Sequence, residues 1–375
     1  MQYRRFGKTE MRLSVFSLGT MRYLSSESNA IATIERAVAL GINHIETARG
    51  YGKSEEFIGS ALKAGLNRLR ERLYITTKIP PTASADMMRS LIQQSLRRLH
   101  TDYIDNFALH GINTWEHYQM ITDPNGCMRA VQEAQKAGLI RHIGFSTHAP
   151  LEVLIATINT DLFSSVNLHY YYFNQRNAPA IQLAHSKDMG VFIISPTDKG
   201  GMLYNPPPRL VELCQPFTPI YINDRFLLAD PRIHTLSLGA SNPEEFDAHR
   251  PAWECAGPLS EEEIAVLQRL NEQFATLGSD RCYQCWQCLP CPENINIPEV
   301  LRLRNLAVAF DMVEFAKYRY NMFEQAGHWF PGVRANKCTD CGDCLPRCPS
   351  GLDIPRLLRD AHHRLNATAG KRLWT

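Results

Sequence analysis

The sequence predicts two architectures in tandem. A (β/α)8 TIM barrel occupies residues 1–250, a linker and connecting helix follow over 251–281, and a small α-helical domain takes 282–375. Three observations carry that reading. Eight short β-rich apolar runs alternate with amphipathic stretches, the pattern of βα units around a parallel sheet. The fingerprint of an open doubly wound sheet, Gly-x-Gly-x-x-Gly after the first strand, is absent, and Gly19-Thr20-Met21 stands there instead. Eight of the eleven cysteines fall between Cys282 and Cys348.

The apolar runs are Phe16–Thr20, His44–Ala48, Leu73–Ile79, Ile104–His110, Ile140–Ser146, Ser164–Tyr170, Gly190–Pro196 and Thr235–Ala240. Between them, Ala30–Ala39, Ser54–Leu62, Met87–Leu99 and Ala149–Ile158 carry apolar residues at helical spacing. Eight units in about 230 residues suit a closed barrel better than an open sheet. Ahead of them, Gln2–Phe6 and Met11–Ser14 read as a hairpin closing the barrel floor.

His249–Leu259 contains Pro251, Gly257 and Pro258 and reads as a linker. Ser260 with Glu263 forms a capping box ahead of a helix over Ile264–Leu277. Then comes Cys282-x2-Cys285-x2-Cys288-x2-Cys291-Pro292, and later Cys338-x2-Cys341-x2-Cys344-x3-Cys348-Pro349. The second has the bacterial ferredoxin spacing, and the first is one residue shorter in its last gap. Cys291–Arg302 aligns with Cys348–Arg359 at an offset of 57, so the unit is an internal repeat. Each copy continues into a helix with Pro298 or Pro355 in its first turn. Val300–Phe323 is long, apolar and free of Gly and Pro, which favours a helical dicluster ferredoxin-like domain.

Structural zinc sites split their cysteines into two pairs. Three cysteines at two-residue gaps suit three corners of one iron–sulfur cube, with the cysteine before proline reaching the other cube. Two 4Fe–4S clusters are expected, one on Cys282, Cys285, Cys288 and Cys348, the other on Cys338, Cys341, Cys344 and Cys291. Zinc and disulfides are the alternative readings of these residues. Cys127, Cys214 and Cys255 read as plain apolar residues.

Composition sets outer bounds. At 44% apolar and 21% charged, the chain buries a sizeable core. A net charge of +2 argues against nucleic-acid and membrane-surface partners. No run of 18 apolar residues occurs, and Met1–Phe16 is broken by Arg4, Arg5, Lys8, Glu10 and Arg12, so neither a span nor a secretory signal is expected. The expected setting is cytoplasmic and reducing, where clustered cysteines serve as metal ligands.

Four ionisable residues end or follow three successive strands: Glu46 and Tyr51, Lys78, and His110. Tyrosine, with a pKa near 10, is a poor acid at neutral pH. A neighbouring ammonium favours its phenolate, a carboxylate positions the ammonium, and a histidine orients a carbonyl oxygen. Such a group protonates a developing alkoxide. After the seventh strand, the Thr197–Met202 loop offers backbone N–H groups at Lys199, Gly200 and Gly201. With Gly239–Ser241 it sits where barrels often bind phosphate; two ordinary turns are the alternative.

The stretch Gly41–Glu56 resembles the second-strand signature of aldo-keto reductases. Arg5–Thr9, Leu18–Met21, Thr77-Lys78, Asp102–Asp105, Leu109-His110, Gly138–Ser146 and Gly239–Glu244 are similar to further motifs of that family, in the same order. The resemblance implies an NADPH (or NADH) cofactor and a small carbonyl substrate. It makes Tyr51 the proton donor, Lys78 its modulator, His110 the orienting group, and Glu46 the occupant of the family's aspartate position. It implies that Ser146 and Asn167 contact the nicotinamide carboxamide and that Tyr170 stacks on the ring. Lys199, Gly200, Gly201, Gly239 and Ser241 would hold the phosphates and adenosine end. Departures are Glu46 for Asp, Asn167 for Gln, Tyr171 for Asn, and His249 near the adenine contact. Loops Gly111–Asn125 and Pro206–Asp224, with Trp115, His117 and Tyr118, are expected to shape the pocket.

The function expected is NADPH-dependent carbonyl reduction. The clusters would exchange electrons with a ferredoxin-like partner or gate activity. The alternative is a non-enzymatic iron–sulfur electron carrier or redox sensor with a degenerate barrel.

Overall fold

The computed structural model describes residues 1–255 and 257–367. They form two compact units. One comprises 1–200 with 223–258, and the other gathers 201–222 with the described residues from 259 on. Residues 201–222 group with the cysteine-rich part.

In the first unit, β1 (Tyr3–Arg5) and β2 (Arg12–Ser14) pair antiparallel as the opening hairpin. Its Phe6, Met11 and Leu13 are buried in one cluster with Phe192. Eight strands follow: β3 (Phe16–Gly19), β4 (His44–Glu46), β5 (Tyr74–Ile79), β6 (Ile104–His110), β7 (Ile140–Ser146), β8 (Ser165–Leu168), β9 (Gly190–Ile193) and β10 (Thr235–Leu238). Each lies inside its predicted run. They close in the order β10-β3-β4-β5-β6-β7-β8-β9, every pairing parallel. Helices between them start where short polar side chains cap the chain. Ser26 accepts from the Asn29 N–H ahead of Glu27–Ala39, and Ser84 accepts from Met87 ahead of Ala85–Leu99.

The register places the strand ends that matter side by side. Gly19 pairs with Glu46, His110 with Ser146, and Ser146 with Asn167. All stand at or near the C-terminal ends of their strands, the face where barrel enzymes build their sites.

Barrel interiors are usually filled by branched apolar residues; this one carries a polar layer. Ser17 Oγ bonds His44 Nδ1 at 2.6 Å and Thr235 Oγ1 at 2.7 Å. His44 Nε2 bonds Thr76 Oγ1 at 2.7 Å, which also accepts from Asn106 Nδ2 at 3.3 Å. Ser165 Oγ donates to Asn106 Oδ1 at 3.2 Å. The groups satisfy one another, as burial requires. Burial, aided by the charge of Lys78, pushes the His44 imidazole down to about 3, so it stays neutral.

In the second unit the capping box forms as expected. Ser260 N–H donates to Glu263 Oε2 at 2.7 Å and Glu263 N–H donates to Ser260 Oγ at 3.2 Å, opening the helix Glu261–Ala275. The apolar stretch from Val300 to Phe323 is not one helix. Ile297–Phe310 ends at Asp311, whose φ of 60° is left-handed, and Val313–Tyr320 starts anew. Asp tolerates that conformation better than most residues. Ile354–Leu365 is the repeat partner of Ile297–Phe310. Asn296 and Asp353, at the repeat offset, each accept the N–H three residues on. No named strand falls in this unit among the described residues, only an isolated Ile295–Val333 bridge. No helix among the described residues is long and apolar enough to cross a membrane.

Candidate functional site

The C-terminal mouth of the barrel holds a cavity lined by Glu46, Tyr51, Lys78, His110, Ser146, Asn167, Lys199 and Gly239. Glu46 ends β4, Lys78 is the penultimate residue of β5, and His110 ends β6. Tyr51 follows β4 in a turn whose Ser54 N–H donates to Tyr51 O at 3.0 Å.

Lys78 Nζ is in direct ion-pair contact with Glu46 Oε1, both side chains almost fully buried. It also donates to Thr47 O at 2.9 Å. The second carboxylate oxygen of Glu46 accepts from Ser237 Oγ at 3.3 Å. The longer side chain of Glu46, compared with aspartate, therefore still reaches the lysine. Gly19 permits this packing, since a Cβ there would lie 2.5 Å from Ser237 Oγ. Burial pushes Lys78 well below the ordinary lysine value, and the charge of Lys199 pushes the same way. Glu46 is the counter-charge in contact with it.

Lys78 Nζ lies 4.9 Å from the centre of the Tyr51 ring. His110 meets that ring edge-on, at 5.6 Å between centroids. Burial raises the Tyr51 phenol above its ordinary value. Burial outweighs the lowering expected from a neighbouring lysine. The resting tyrosine holds its proton.

The expected cofactor-contacting residues divide. Ser146 and Asn167 stand together in the mouth, and Asn167 Oδ1 is buried without a hydrogen-bond partner. Lys199 and Gly239 line the same cavity. Gly200 is packed beneath its loop, where a Cβ would collide with Pro196 O. Gly201, with a φ of 151°, belongs to the other compact unit. Tyr170 is not among the cavity residues; it stacks on Phe226 at 5.8 Å. Ser241 is turned inward: its N–H donates to Glu245 Oε2 at 3.1 Å, and its hydroxyl bonds the other oxygen. An anion at Ser241 would face that carboxylate. His249 is fully buried against Asp224, Nδ1 to Oδ2 at 2.6 Å, rather than at a surface adenine contact. No residue from 111–125 lines the cavity, and Trp115 packs on Tyr118 with half its surface exposed.

Among the lining residues that escaped the sequence reading are Arg22, His148, Ser195 and Ser237. Arg22 Nη1 donates to Gly239 O at 2.7 Å and to Glu245 at 2.9 Å. Ser237 had a readable signal, since it stands two residues beyond the inward Thr235 on β10.

In the second unit the cysteines frame two cavities. One is lined by Cys282, Cys285, Cys288 and Cys348, with Pro298, Leu301 and Ile354. The other is lined by Cys338, Cys341, Cys344 and Cys291, with Pro355, Leu358 and Ile297. The apolar residues exchange at the repeat offset, so each cavity takes its walls from both copies. Burial pushes the Cys282 thiol up to about 11 and Cys288 up to about 12, and neighbouring cysteines add to the shift. Four thiolates so close need a cationic centre. Among the described residues no group of three or more His, Cys, Asp or Glu side chains is placed to hold a single metal ion.

The barrel and the groups at its mouth define a class, a (β/α)8 oxidoreductase joined to a cysteine-rich helical unit. Known proteins narrow it. The aldo/keto reductase family matches residues 16–207, and the 4Fe–4S dicluster domain matches 281–352. This chain belongs to the aldo/keto reductase family and carries a 4Fe–4S dicluster domain. It is 25% identical to the uncharacterized oxidoreductase YqkF of Bacillus subtilis, over 73% of this chain and 97% of that one. It is 33% identical to methylglyoxal reductase DkgB of Salmonella typhi, over 44% of this chain and 61% of that one. Among solved structures, the holo form of aldo-keto reductase AKR11C1 from Bacillus halodurans matches with a TM-score of 0.63 and 24% identity, covering 72% of this chain and 96% of that one.

Proposed function

We propose that the barrel mouth reduces a small carbonyl substrate with NADPH. The C-terminal unit then holds two 4Fe–4S clusters that exchange single electrons with a ferredoxin-like partner or gate the barrel. The observation that carries the reductase reading is the meeting of Tyr51, Lys78, Glu46 and His110 in one cavity. The residues there fit a nicotinamide. Asn167 Oδ1, buried without a partner, suits the N–H2 of a carboxamide, and Ser146 stands beside it. Lys199 and Arg22 are cations on the same lining. NADH is the competing cofactor.

A bound reduced nicotinamide supplies hydride to a carbonyl carbon. Tyr51 donates its phenolic proton to the carbonyl oxygen, and burial keeps that proton in place until the oxygen becomes basic. Lys78 stabilises the phenolate left behind, and Glu46 holds Lys78 in position. His110 orients the oxygen from the edge of the Tyr51 ring. Solvent returns the proton to Tyr51.

For the clusters, support comes from the two quartets, each lining one cavity with three cysteines of one run and the last of the other. When assembled, the clusters carry one electron at a time. Anaerobic purification followed by iron and sulfide analysis tests this, with about eight irons per chain expected.

The name of the DkgB relative makes methylglyoxal a sensible first substrate. Replacing Tyr51 by Phe is expected to lower NADPH-dependent reduction by about 10²–10⁴-fold. Unchanged turnover would remove Tyr51 from the chemistry.

A further inference from the structure

The two cysteine cavities match in their walls and differ in their charge. Beside Cys282, Cys285, Cys288 and Cys348, the described lining consists of Tyr283, Trp286, Ser350 and apolar residues, with no carboxylate and no cation. Beside Cys338, Cys341, Cys344 and Cys291 it includes Glu293, Asp343 and Arg347. Glu293 stands where the other copy has Ser350, and Asp343 where it has Gln287. Arg347 has no counterpart. It is the residue by which Leu345-Pro346-Arg347-Cys348 exceeds Leu289-Pro290-Cys291.

Arg347 is half-buried, and its guanidinium spans the two runs. Nε donates to Asp343 O at 2.9 Å within its own run, and Nη2 donates to Pro290 O at 2.8 Å in the other. Pro290 immediately precedes Cys291, and Arg347 immediately precedes Cys348. The guanidinium therefore ties the chain together at the two points where a cysteine crosses to the opposite quartet. A planar fork with fixed donor directions suits that task better than an ammonium on a flexible stem. The carboxylates around it are held as well. Thr339 Oγ1 donates to Glu293 Oε1 at 3.2 Å. Asp340 is engaged elsewhere: its Oδ1 accepts from Arg359 Nη1 at 2.5 Å, and neither side chain lines the cavity. Glu293 and Asp343 thus give the lining an excess of negative charge that Arg347 offsets in part.

A 4Fe–4S cluster on four thiolates is anionic, and an added electron makes it more so. The net charge around it is one lever on its reduction potential. A nearby cation favours the reduced form, and a carboxylate opposes it.

We propose that Arg347 is a positioning and tuning residue of the site formed by Cys338, Cys341, Cys344 and Cys291. Its hydrogen bonds hold Cys291 in reach of the other three. Its charge offsets Glu293 and Asp343, so that an electron from the ferredoxin-like partner is accommodated there. The step is the gain of one electron, given up by the reduced partner, with no bond broken and no proton moved.

The two-cluster reading underlies this role, and one experiment separates them. The anaerobically purified, iron-loaded full chain is titrated with dithionite in the presence of mediators and followed by electron paramagnetic resonance. The native chain should give two midpoints. Arg347→Gln should lower one of them by about 59 mV, a tenfold smaller reduced-to-oxidised ratio at a fixed potential, and leave the other in place. The shift should persist in the Cys348→Ser background, which removes the other cluster. Asp343→Asn should move the same midpoint the opposite way. Where Arg347→Gln loses about four irons, Arg347→Lys carries the test: it keeps the charge and should keep the native midpoint, and a lowered midpoint there overturns the inference. Two midpoints untouched by Arg347→Gln, or both lowered alike, overturn it while the cluster reading stands. A native chain without iron and without a resonance signal overturns both.

Discussion

The two functional regions are assembled by opposite means. The barrel mouth draws Glu46, Lys78, His110, Ser146 and Asn167 from five strands, and only closure of the sheet brings them together. The cysteine cavities come from two copies of one local loop, each copy supplying three residues to one cavity and one to the other. A site made from strand ends tolerates loss of one member as a graded loss of rate. A site made by exchange between repeats loses a whole cavity's ligand set when one crossing residue goes.

Substitutions sharpen that contrast, and the largest effect falls on the mouth. Lys78→Met should cost about 10²–10³-fold in kcat, since the phenolate of Tyr51 loses its partner and Glu46 is left buried and unpaired. Steady-state kinetics checks it. Glu46→Gln is milder, about tenfold in kcat, because Lys78 stays in place but loses its counter-charge.

On the other side, Cys348→Ser should remove the cluster framed by Cys282, Cys285 and Cys288 and leave the one framed by Cys338, Cys341 and Cys344. Iron analysis should fall from about eight to about four per chain. Loss of the second cluster in its place would mean that each run completes its own site.

The polar layer under the mouth gives a pH signature. His44 titrates near 3 in the fold, against an ordinary value of 6.5. The unfolded chain therefore binds the extra proton between those values. Stability contributed by neutral His44 is complete above 6.5 and falls as pH drops, by about 1.4 kcal/mol per unit. Urea melts at pH 6.5 and 5.5 should differ by that order, and His44→Gln should flatten the slope. Smallest is Ser260→Ala. It breaks the capping box and should cost about 1 kcal/mol in the same melts, without touching either site.

The same contrast explains what the sequence disclosed. The cysteine quartets were legible because ligand spacing is local and the 57-residue repeat is written in the chain. The strands were legible because β-rich apolar runs alternate with helical periodicity. The four mouth residues needed only the rule that strand ends share one face. Past the strand ends the rule stops. Tyr170, Tyr171 and Tyr172 follow β8, where alternation no longer decides which ring turns inward. Tyr170 goes to Phe226, while Tyr171 goes under His169. Ser241 bonds Glu245, four residues on, a pairing that motif spacing does not reveal. The break at Asp311 depends on one left-handed residue that no apolar count reveals.

The most direct test of the account sets native protein beside Tyr51→Phe, both iron-loaded and anaerobic. NADPH binding is followed by fluorescence and methylglyoxal-dependent NADPH oxidation by absorbance. The account predicts equal NADPH affinity and near-complete loss of turnover in the variant. Equal turnover in both proteins, or no NADPH binding by the native chain, would contradict it.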